Sequence, residues 1–147
     1  MAHRRIDGLV ARQRLMLLVD TNVLIDVLQD DPTWADWSVA QLRAQAKVHA
    51  LSINPVIYAE LSLNFSHVEM LDKTLEKMRL SMSELPRPAL FLAGKAFAQY
   101  RHRGAKGNNV LADFFIGAHA AVAGCSLLTR DSKRYQSYFP TVKLIAP

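Results

Sequence analysis

Residues 15–26 read Leu-Met-Leu-Leu-Val-Asp-Thr-Asn-Val-Leu-Ile-Asp. The first apolar run has the length of a buried strand, and Asp20 ends it. A second apolar run follows with helical spacing, and Thr21 or Asn22 can cap that helix. We therefore expect Asp20 at the carboxyl end of a strand, where ligand sites open in α/β sheets. From this stretch alone, Asp20 fits a plain turn or cap position equally well.

Strand-like and helix-like segments alternate along the rest of the chain. Strands are predicted over 16–19, 48–53, 82–85, 126–129 and 142–145, and helices over 22–29, 32–47, 55–65, 66–80, 88–102, 111–123 and 131–138. This alternation predicts an α/β fold with a mostly parallel central sheet and helices on both faces. No repeat or linker interrupts it, so residues 16–147 are predicted to form a single domain.

Composition limits the class of protein. The 147 residues are 50% hydrophobic, which is enough for the core of one domain, and the formal net charge is +5. Residues 1–15 form a predicted basic extension with four arginines against one aspartate. No apolar run approaches the ~20 residues of a membrane span, and the first residues do not resemble a secretory signal. The single Cys125 allows no internal disulfide and fits a cytoplasmic location.

Four acids lie at positions that a solvated surface does not explain. They are Asp20 after the first strand, Glu60 on the third helix, Asp113 at the start of the sixth helix and Asp131 after the strand over 126–129. Buried carboxylates need a partner, and few lysines or arginines flank them in sequence. A divalent cation would neutralise several at once, and hard oxygen ligands favour Mg²⁺ or Mn²⁺ over zinc.

Each acid also has a simpler explanation. Asp113 and Asp131 fit ordinary helix N-terminal positions that the helix dipole favours, and Glu60 fits an exposed helix face. Asp26 and the remaining aspartates are interpreted as surface or turn residues, with Asp26 the doubtful member. His119 is interpreted as a hydrogen-bonded core residue and not as a ligand.

Together the acidic motifs resemble a known family. Val-Asp-Thr-Asn-Val-Leu-Ile-Asp at 19–26, the isolated Glu60, Ala-Asp-Phe-Phe-Ile-Gly-Ala-His-Ala at 112–120 and Leu-Leu-Thr-Arg-Asp at 127–131 are similar to the PIN-domain ribonucleases. They most resemble the VapC-type toxins of bacterial toxin–antitoxin pairs. The resemblance covers nearly the whole chain from residue 15, in order and at compatible spacing. One departure is Ala112, which stands where many such toxins have proline.

The resemblance implies a PIN-like three-layer fold, a site and an activity. The acidic site that would bind metal and catalyse the reaction falls on Asp20, Glu60, Asp113 and Asp131, supported by Asn22 and Thr129. The implied reaction is Mg²⁺- or Mn²⁺-dependent hydrolysis of RNA phosphodiesters that leaves 5′-phosphate and 3′-hydroxyl ends. The implied partners are an antitoxin protein and a second copy of the chain. Apolar residues beyond the needs of a small core, namely Trp34, Trp37, Phe65, Leu71 and Phe91, also indicate a dimer.

The segment over 103–109 is the strongest loop signal in the chain. Its cations Arg103 and Lys106, together with Arg130, are candidates for contacts with the RNA backbone. A mobile solvent-facing connection between two helices explains the loop almost as well.

Three other classes of protein are alternatives. A haloacid-dehalogenase-type phosphatase would need a second aspartate where the chain has Asn22, and a receiver-like domain would need a late lysine that Lys133 does not match. The remaining alternative is a non-catalytic PIN-fold module that binds RNA or a partner protein. The presence of all four acids favours the enzyme.

Overall fold

The computed structural model describes residues 14–105 and 110–147. In chain order the elements are β1 (Met16–Val19), α1 (Thr21–Leu28), α2 (Ala35–Ala46), β2 (Ala50–Ile53), α3 (Pro55–Ser62), α4 (Val68–Lys77), β3 (Ser81–Met82), α5 (Arg87–His102), α6 (Leu111–Ala123), β4 (Ser126–Leu128), α7 (Lys133–Tyr138) and β5 (Leu144–Ile145). The predicted division into an extension and one domain stays a prediction, because residues 1–13 lie outside the described part.

The strands form one parallel sheet in the order β3-β2-β1-β4-β5. The described part of the chain begins with the central strand β1 and continues through β2 to β3 at one edge. It then returns to β4 and β5 on the other side of β1. The order therefore reverses between β1 and β4, and at such a point the loops after neighbouring strands separate and open a crevice. The predicted α/β fold with a mostly parallel sheet flanked by helices is confirmed.

The centre of the sheet is fully buried. Leu17, Leu18 and Val19 of β1 have no exposed surface, and neither do Leu127 and Leu128 of β4. Such uninterrupted apolar strands are expected where helices cover both faces of a parallel sheet. The carboxyl ends of two buried strands are therefore held rigidly side by side.

Helix α6 packs against α5, α7 and β4. The ring of Phe139 fills the space that a Cβ at Gly117 would need, so a larger residue there would push the end of α7 away. Phe114 contacts the rings of Phe97, Tyr100 and Tyr138 as well. These contacts fix α7 next to the first turn of α6.

The presence and type of the helices and strands were predicted more accurately than the residues at which they begin and end. Helix α6 and strand β1 have their predicted bounds, and Asn54 caps α3 as expected by accepting a hydrogen bond from Ile57 N at 2.9 Å. Helix α2 starts three residues later than predicted because the carboxylate of Asp31 accepts hydrogen bonds from the amides of Thr33 and Trp34 and forms a turn. No helix in the described segments is long and apolar enough to cross a membrane.

Two interpretations of individual residues were wrong. The cap of α1 is Asp20 itself, whose Oδ1 accepts a hydrogen bond from Thr21 N, and neither Thr21 nor Asn22 serves as the cap. Leu71 is only 2% exposed and belongs to the core, so it gives no support to a dimer. Phe91 is 70% exposed and does leave an apolar side chain on the surface of α5.

Candidate active site

Asp20 lies at the junction of the two central strands. Its amide donates a hydrogen bond to Leu128 O at 2.8 Å, which extends the β1–β4 ladder by one step beyond β1. Thr129, which follows Leu128 directly after β4, is fully buried. The carboxyl ends of β1 and β4 therefore adjoin.

The carboxylate of Asp20 is 3% exposed and is held by several donors. Oδ1 accepts from Thr21 N at 2.8 Å. Oδ2 accepts from Thr129 Oγ1 and from the hydroxyl of Tyr135, both at 2.8 Å, and more weakly from Asn22 Nδ2 at 3.4 Å. Both residues predicted to support the site, Asn22 and Thr129, therefore contact Asp20. Its rotamer is fixed before any ligand arrives.

Glu60 extends from α3 towards the carboxyl end of β1, where Asp20 lies. Its Oε1 accepts a hydrogen bond from Thr21 Oγ1 at 2.6 Å. Thr21 thus connects two of the acids, through its amide to Asp20 and through its hydroxyl to Glu60. Burial raises the pKa of Glu60, and the charge of Asp113 raises it further, while the Thr21 hydrogen bond opposes the rise.

Asp113 lies in the first turn of α6 and has a cationic partner. Its Oδ2 accepts a hydrogen bond from Arg134 Nη1 at 2.5 Å, and the two side chains are 30% and 26% exposed. Burial raises the pKa of Asp113, an effect that Arg134 opposes and the charge of Asp131 reinforces. The expectation that few cations accompany the acids is therefore wrong for Asp113.

Asp131 is the exposed member of the set. Its amide donates to Thr129 Oγ1 at 3.1 Å, so the turn that carries it is tied to the hydroxyl that also binds Asp20. Its carboxylate lies at the rim of the site, where solvent can reach it.

The four acids form one electrostatic group with Asp113 at its centre. Burial raises the pKa of Asp20 from 3.8 to about 7, and the charge of Asp113 is the next contribution. Asp113 also raises the pKa of Glu60, and Asp131 raises that of Asp113. Like charges that disfavour one another's ionisation attract additional positive charge to the site.

The donor chemistry of this group fits a hard divalent cation, because every candidate ligand is a carboxylate. The ligands are not preformed: in the part of the chain that the structure describes, no three His, Cys, Asp or Glu side chains make a metal-binding group. Hydrogen bonds from Thr21, Tyr135 and Arg134 occupy oxygens that a metal would use. A cation would have to replace some of these donors.

Asp26 was wrongly interpreted as a surface or turn residue. It is 2% exposed, and its carboxylate accepts from Arg130 Nε at 2.8 Å, from Arg130 Nη2 at 3.1 Å and from Ser38 Oγ at 3.0 Å. The guanidinium also lies 5.7 Å from the ring of Trp34. This bidentate pair attaches the turn between β4 and α7 to α1 and α2.

The three predicted RNA-binding cations differ in position. Arg103 is exposed at the end of α5, with its guanidinium 5.1 Å from the ring centre of Tyr138. Arg130 is partly exposed beside the site and already bonded to Asp26. Lys106 lies outside the described residues.

Sequence reasoning missed Tyr135 and Arg134, which contact the acids from α7. Neither residue stands in a motif, and α7 is only six residues long. The available signal was a Lys-Arg-Tyr run a few residues after Asp131. His119 was interpreted correctly: it is 2% exposed and shares a 3.2 Å hydrogen bond with Asn54.

The chain is similar to proteins of known structure. Residues 17–139 match the sequence profile of the PIN domain. A chain of VapBC2 from Rickettsia felis, bound to a DNA fragment from their promoter, is 20% identical with a TM-score of 0.68, and the match covers 90% of this chain and 98% of that one. DNA-bound VapBC from Salmonella typhimurium contains a chain that is 18% identical, with a TM-score of 0.66 and the same coverage.

A third structure, FitAcB from Neisseria gonorrhoeae, contains a chain that is 20% identical with a TM-score of 0.61, and the match covers 88% of this chain and 96% of that one. At such identities the likeness concerns the fold. No curated protein sequence is significantly similar to the chain.

Proposed function

Since the chain belongs to the PIN-domain family, we propose that it is a Mg²⁺- or Mn²⁺-dependent endoribonuclease and the toxin of a toxin–antitoxin pair. The observation that carries this proposal is the mutual electrostatic influence of Asp20, Glu60, Asp113 and Asp131 at one edge of the sheet. Buried or partly buried acids with raised pKa values, such as Asp20, Glu60 and Asp113, are characteristic of functional sites.

The metal ligands would come from Asp20, Glu60, Asp113 and Asp131. A divalent cation bound there supplies a Lewis acid that lowers the pKa of water and stabilises charge on a phosphate. Thr129 and Tyr135 keep Asp20 in its orientation through hydrogen bonds to Oδ2. The exposed carboxylate of Asp131 would bind or orient the metal or its water.

RNA would approach over the open side of this edge. Arg103 and Arg130, with Lys106 of the same loop as Arg103, would contact phosphates without selecting a sequence. The relatives of known structure include VapBC complexes, which supports an antitoxin partner for this chain. We extend the proposal to a homodimer in the cytoplasm, with the exposed Phe91 available for contact with another chain.

The test is a cleavage assay on pooled cellular RNA in EDTA, in Mg²⁺ and in Mn²⁺. Asp20→Asn should abolish metal-dependent cleavage. The matched control is Asp36→Asn, which removes one acid from an exposed position in the first turn of α2. Full activity of Asp20→Asn, or equal loss in both variants, would refute the assignment of the site.

A non-catalytic module that binds RNA or a partner remains a second proposal. The observation in its favour is that the acids carry protein hydrogen bonds and form no ready metal-binding group among the described residues. The same assay separates the two, because a module of this kind would bind RNA without cutting it in either metal. The homodimer is tested separately by analytical ultracentrifugation, and a monomer at high micromolar concentration would refute it.

A further inference from the structure

Arg134 makes the cationic contact of the acidic group. Its Nη1 donates to Oδ2 of Asp113 at 2.5 Å, and its guanidinium carbon lies 5.8 Å from the ring centre of Tyr100. The side chains of Arg134 and Asp113 are 26% and 30% exposed, so both members of the pair are open to solvent on one side. A cation or a phosphate could therefore reach either of them.

The acid that Arg134 contacts is the one through which the others interact. Asp113 disfavours ionisation of Asp20 and Glu60, and Asp131 disfavours ionisation of Asp113. The guanidinium of Arg134 lowers the pKa of Asp113 through its charge and its hydrogen bond, and so relieves part of the repulsion among these acids. In the metal-free protein, Arg134 thus takes the electrostatic role that a bound cation would have.

A divalent cation and a guanidinium compete for the same carboxylate. Both would use lone pairs of Asp113, and their like charges repel at such short distance. Arginine also binds phosphates well, through planar paired N–H groups. An arginine released from Asp113 would remain on α7 beside the metal, where the phosphate of a substrate would lie.

We propose that Arg134 is an exchangeable counter-ion of this site, which neutralises Asp113 in the metal-free protein, yields it to the divalent cation and then binds an RNA phosphate. The inference rests on the proposed nuclease function and adds to it a residue that sets metal affinity and contacts substrate. It is a further substrate-binding residue in a helix that carries none of the four acids.

The first experiment measures Mn²⁺ binding by titration calorimetry in the absence of RNA. Arg134→Gln should bind Mn²⁺ more tightly, by about tenfold if the ion pair contributes one pKa unit of competition. The matched control is Lys133→Gln, which removes the same charge from an exposed neighbour on α7. Arg134→Lys, a weaker partner for a carboxylate, should lie between Arg134→Gln and the wild type.

Thermal unfolding gives a second readout that does not depend on activity. In EDTA, Arg134→Gln should melt about 2–4 °C below the wild type because the repulsion among the acids is no longer relieved. Saturating Mn²⁺ should abolish most of this difference. Unchanged or weaker Mn²⁺ binding by Arg134→Gln, or equal tightening by both glutamine variants, would overturn the proposal.

The phosphate step is tested with a randomised single-stranded RNA pool at saturating Mn²⁺. Arg134→Gln should lower kcat/KM about tenfold or more and Lys133→Gln less than twofold, and Arg134→Lys should restore part of the loss. Equal kcat/KM in Arg134→Gln and wild type would overturn this step.

The outcomes also separate this proposal from the nuclease assignment. If the wild type cuts RNA but Arg134→Gln and the wild type bind Mn²⁺ equally well, the nuclease assignment is supported and the counter-ion role of Arg134 is refuted. If the wild type cuts no RNA but Arg134→Gln binds Mn²⁺ more tightly than the wild type, the counter-ion exchange is supported and the nuclease assignment is refuted. Absence of Mn²⁺ binding in the wild type and in Arg134→Gln would overturn both.

Discussion

The hydroxyl of Tyr135 donates a 2.8 Å hydrogen bond to Oδ2 of Asp20, and the two side chains are 2% and 3% exposed. Burial raises the pKa of Tyr135 well above its usual value, and the charge of Asp20 is the next cause. Tyr135 therefore stays a donor at all physiological pH values.

We expect Tyr135→Phe to destabilise the metal-free protein by roughly 1.5–3 kcal/mol at pH 8, the usual value of a hydrogen bond to a charged group. Urea unfolding in EDTA measures this loss. RNA cleavage should fall as well, because Oδ2 of Asp20 loses one of its donors.

The control is Tyr138→Phe on the same helix, where the side chain is partly exposed and its ring packs against Phe114. It should cost less than 1 kcal/mol, as a hydroxyl at a partly exposed position usually does. Equal effects of the two variants would mean that the bond to Asp20 contributes nothing specific.

The second prediction is a pH dependence of metal-free stability. The pKa of Asp20 rises from 3.8, the usual value of an aspartate, to about 7 in the folded chain because the carboxylate is buried. The folded state therefore holds a proton that the unfolded state releases between these values, so this group's contribution to stability falls as pH rises from about 4 to 7. Above pH 7 the cost of the buried charge is fully present.

Asp20→Asn removes that cost. Urea unfolding in EDTA should give similar stabilities for variant and wild type near pH 4, and a more stable variant at pH 8. Asp36→Asn, at an exposed site, should track the wild type throughout. A variant that is less stable than the wild type at pH 8 would contradict the raised pKa of Asp20.

The third prediction concerns the pair of Asp26 and Arg130. Arg130→Ala leaves the carboxylate of Asp26 buried with only Ser38 Oγ as a remaining side-chain donor among those described here. We expect a loss of about 2–3 kcal/mol, below the value for a fully buried pair because Arg130 is 31% exposed.

A double-mutant cycle measures this coupling. Asp26→Ala with Arg130→Ala should be destabilised by less than the sum of the single variants, because the double variant contains no unpaired buried charge. Additive losses would show that the two side chains contribute independently.

The fourth prediction concerns Arg103, which is exposed at the end of α5. If it binds a phosphate, Arg103→Ala should weaken RNA binding by a similar factor for all sequences. It should also lower the salt slope by about 0.7, the value for one contact on a single strand. Lys47→Ala is the matched control, because Lys47 lies before the amino end of β2 whereas Asp20 lies at the carboxyl end of β1. An unchanged slope would leave Arg103 as a surface residue.

The sequence was sufficient for most of the elements and for the position of Asp20 at the end of a buried strand. Uninterrupted apolar strands predicted the buried parallel sheet, and the abrupt change at Asp20 predicted a strand end facing a crevice. The match over 17–139 confirms the family to which the motifs pointed. All these signals are local, because each lies within one strand, one helix or one junction.

Two of the missed side-chain contacts join residues that are distant in the chain. Arg130 and Asp26 are 104 residues apart, and Tyr135 and Asp20 are 115 apart. Periodicity within a helix cannot indicate which polar residue meets a partner on another element. Asp26 therefore looked like a surface acid, and nothing in the sequence marked Arg134 or Tyr135 of the predicted last helix as residues of the site.

The same separations set the order in which the molecule can be completed during synthesis. Asp20 is made early, but Thr129 and Tyr135, which orient its carboxylate, are made more than a hundred residues later. A nascent chain that ends before β4 leaves β1 with no neighbour on that side. The whole segment from β1 to Asp131 must therefore leave the ribosome before the four acids can come together.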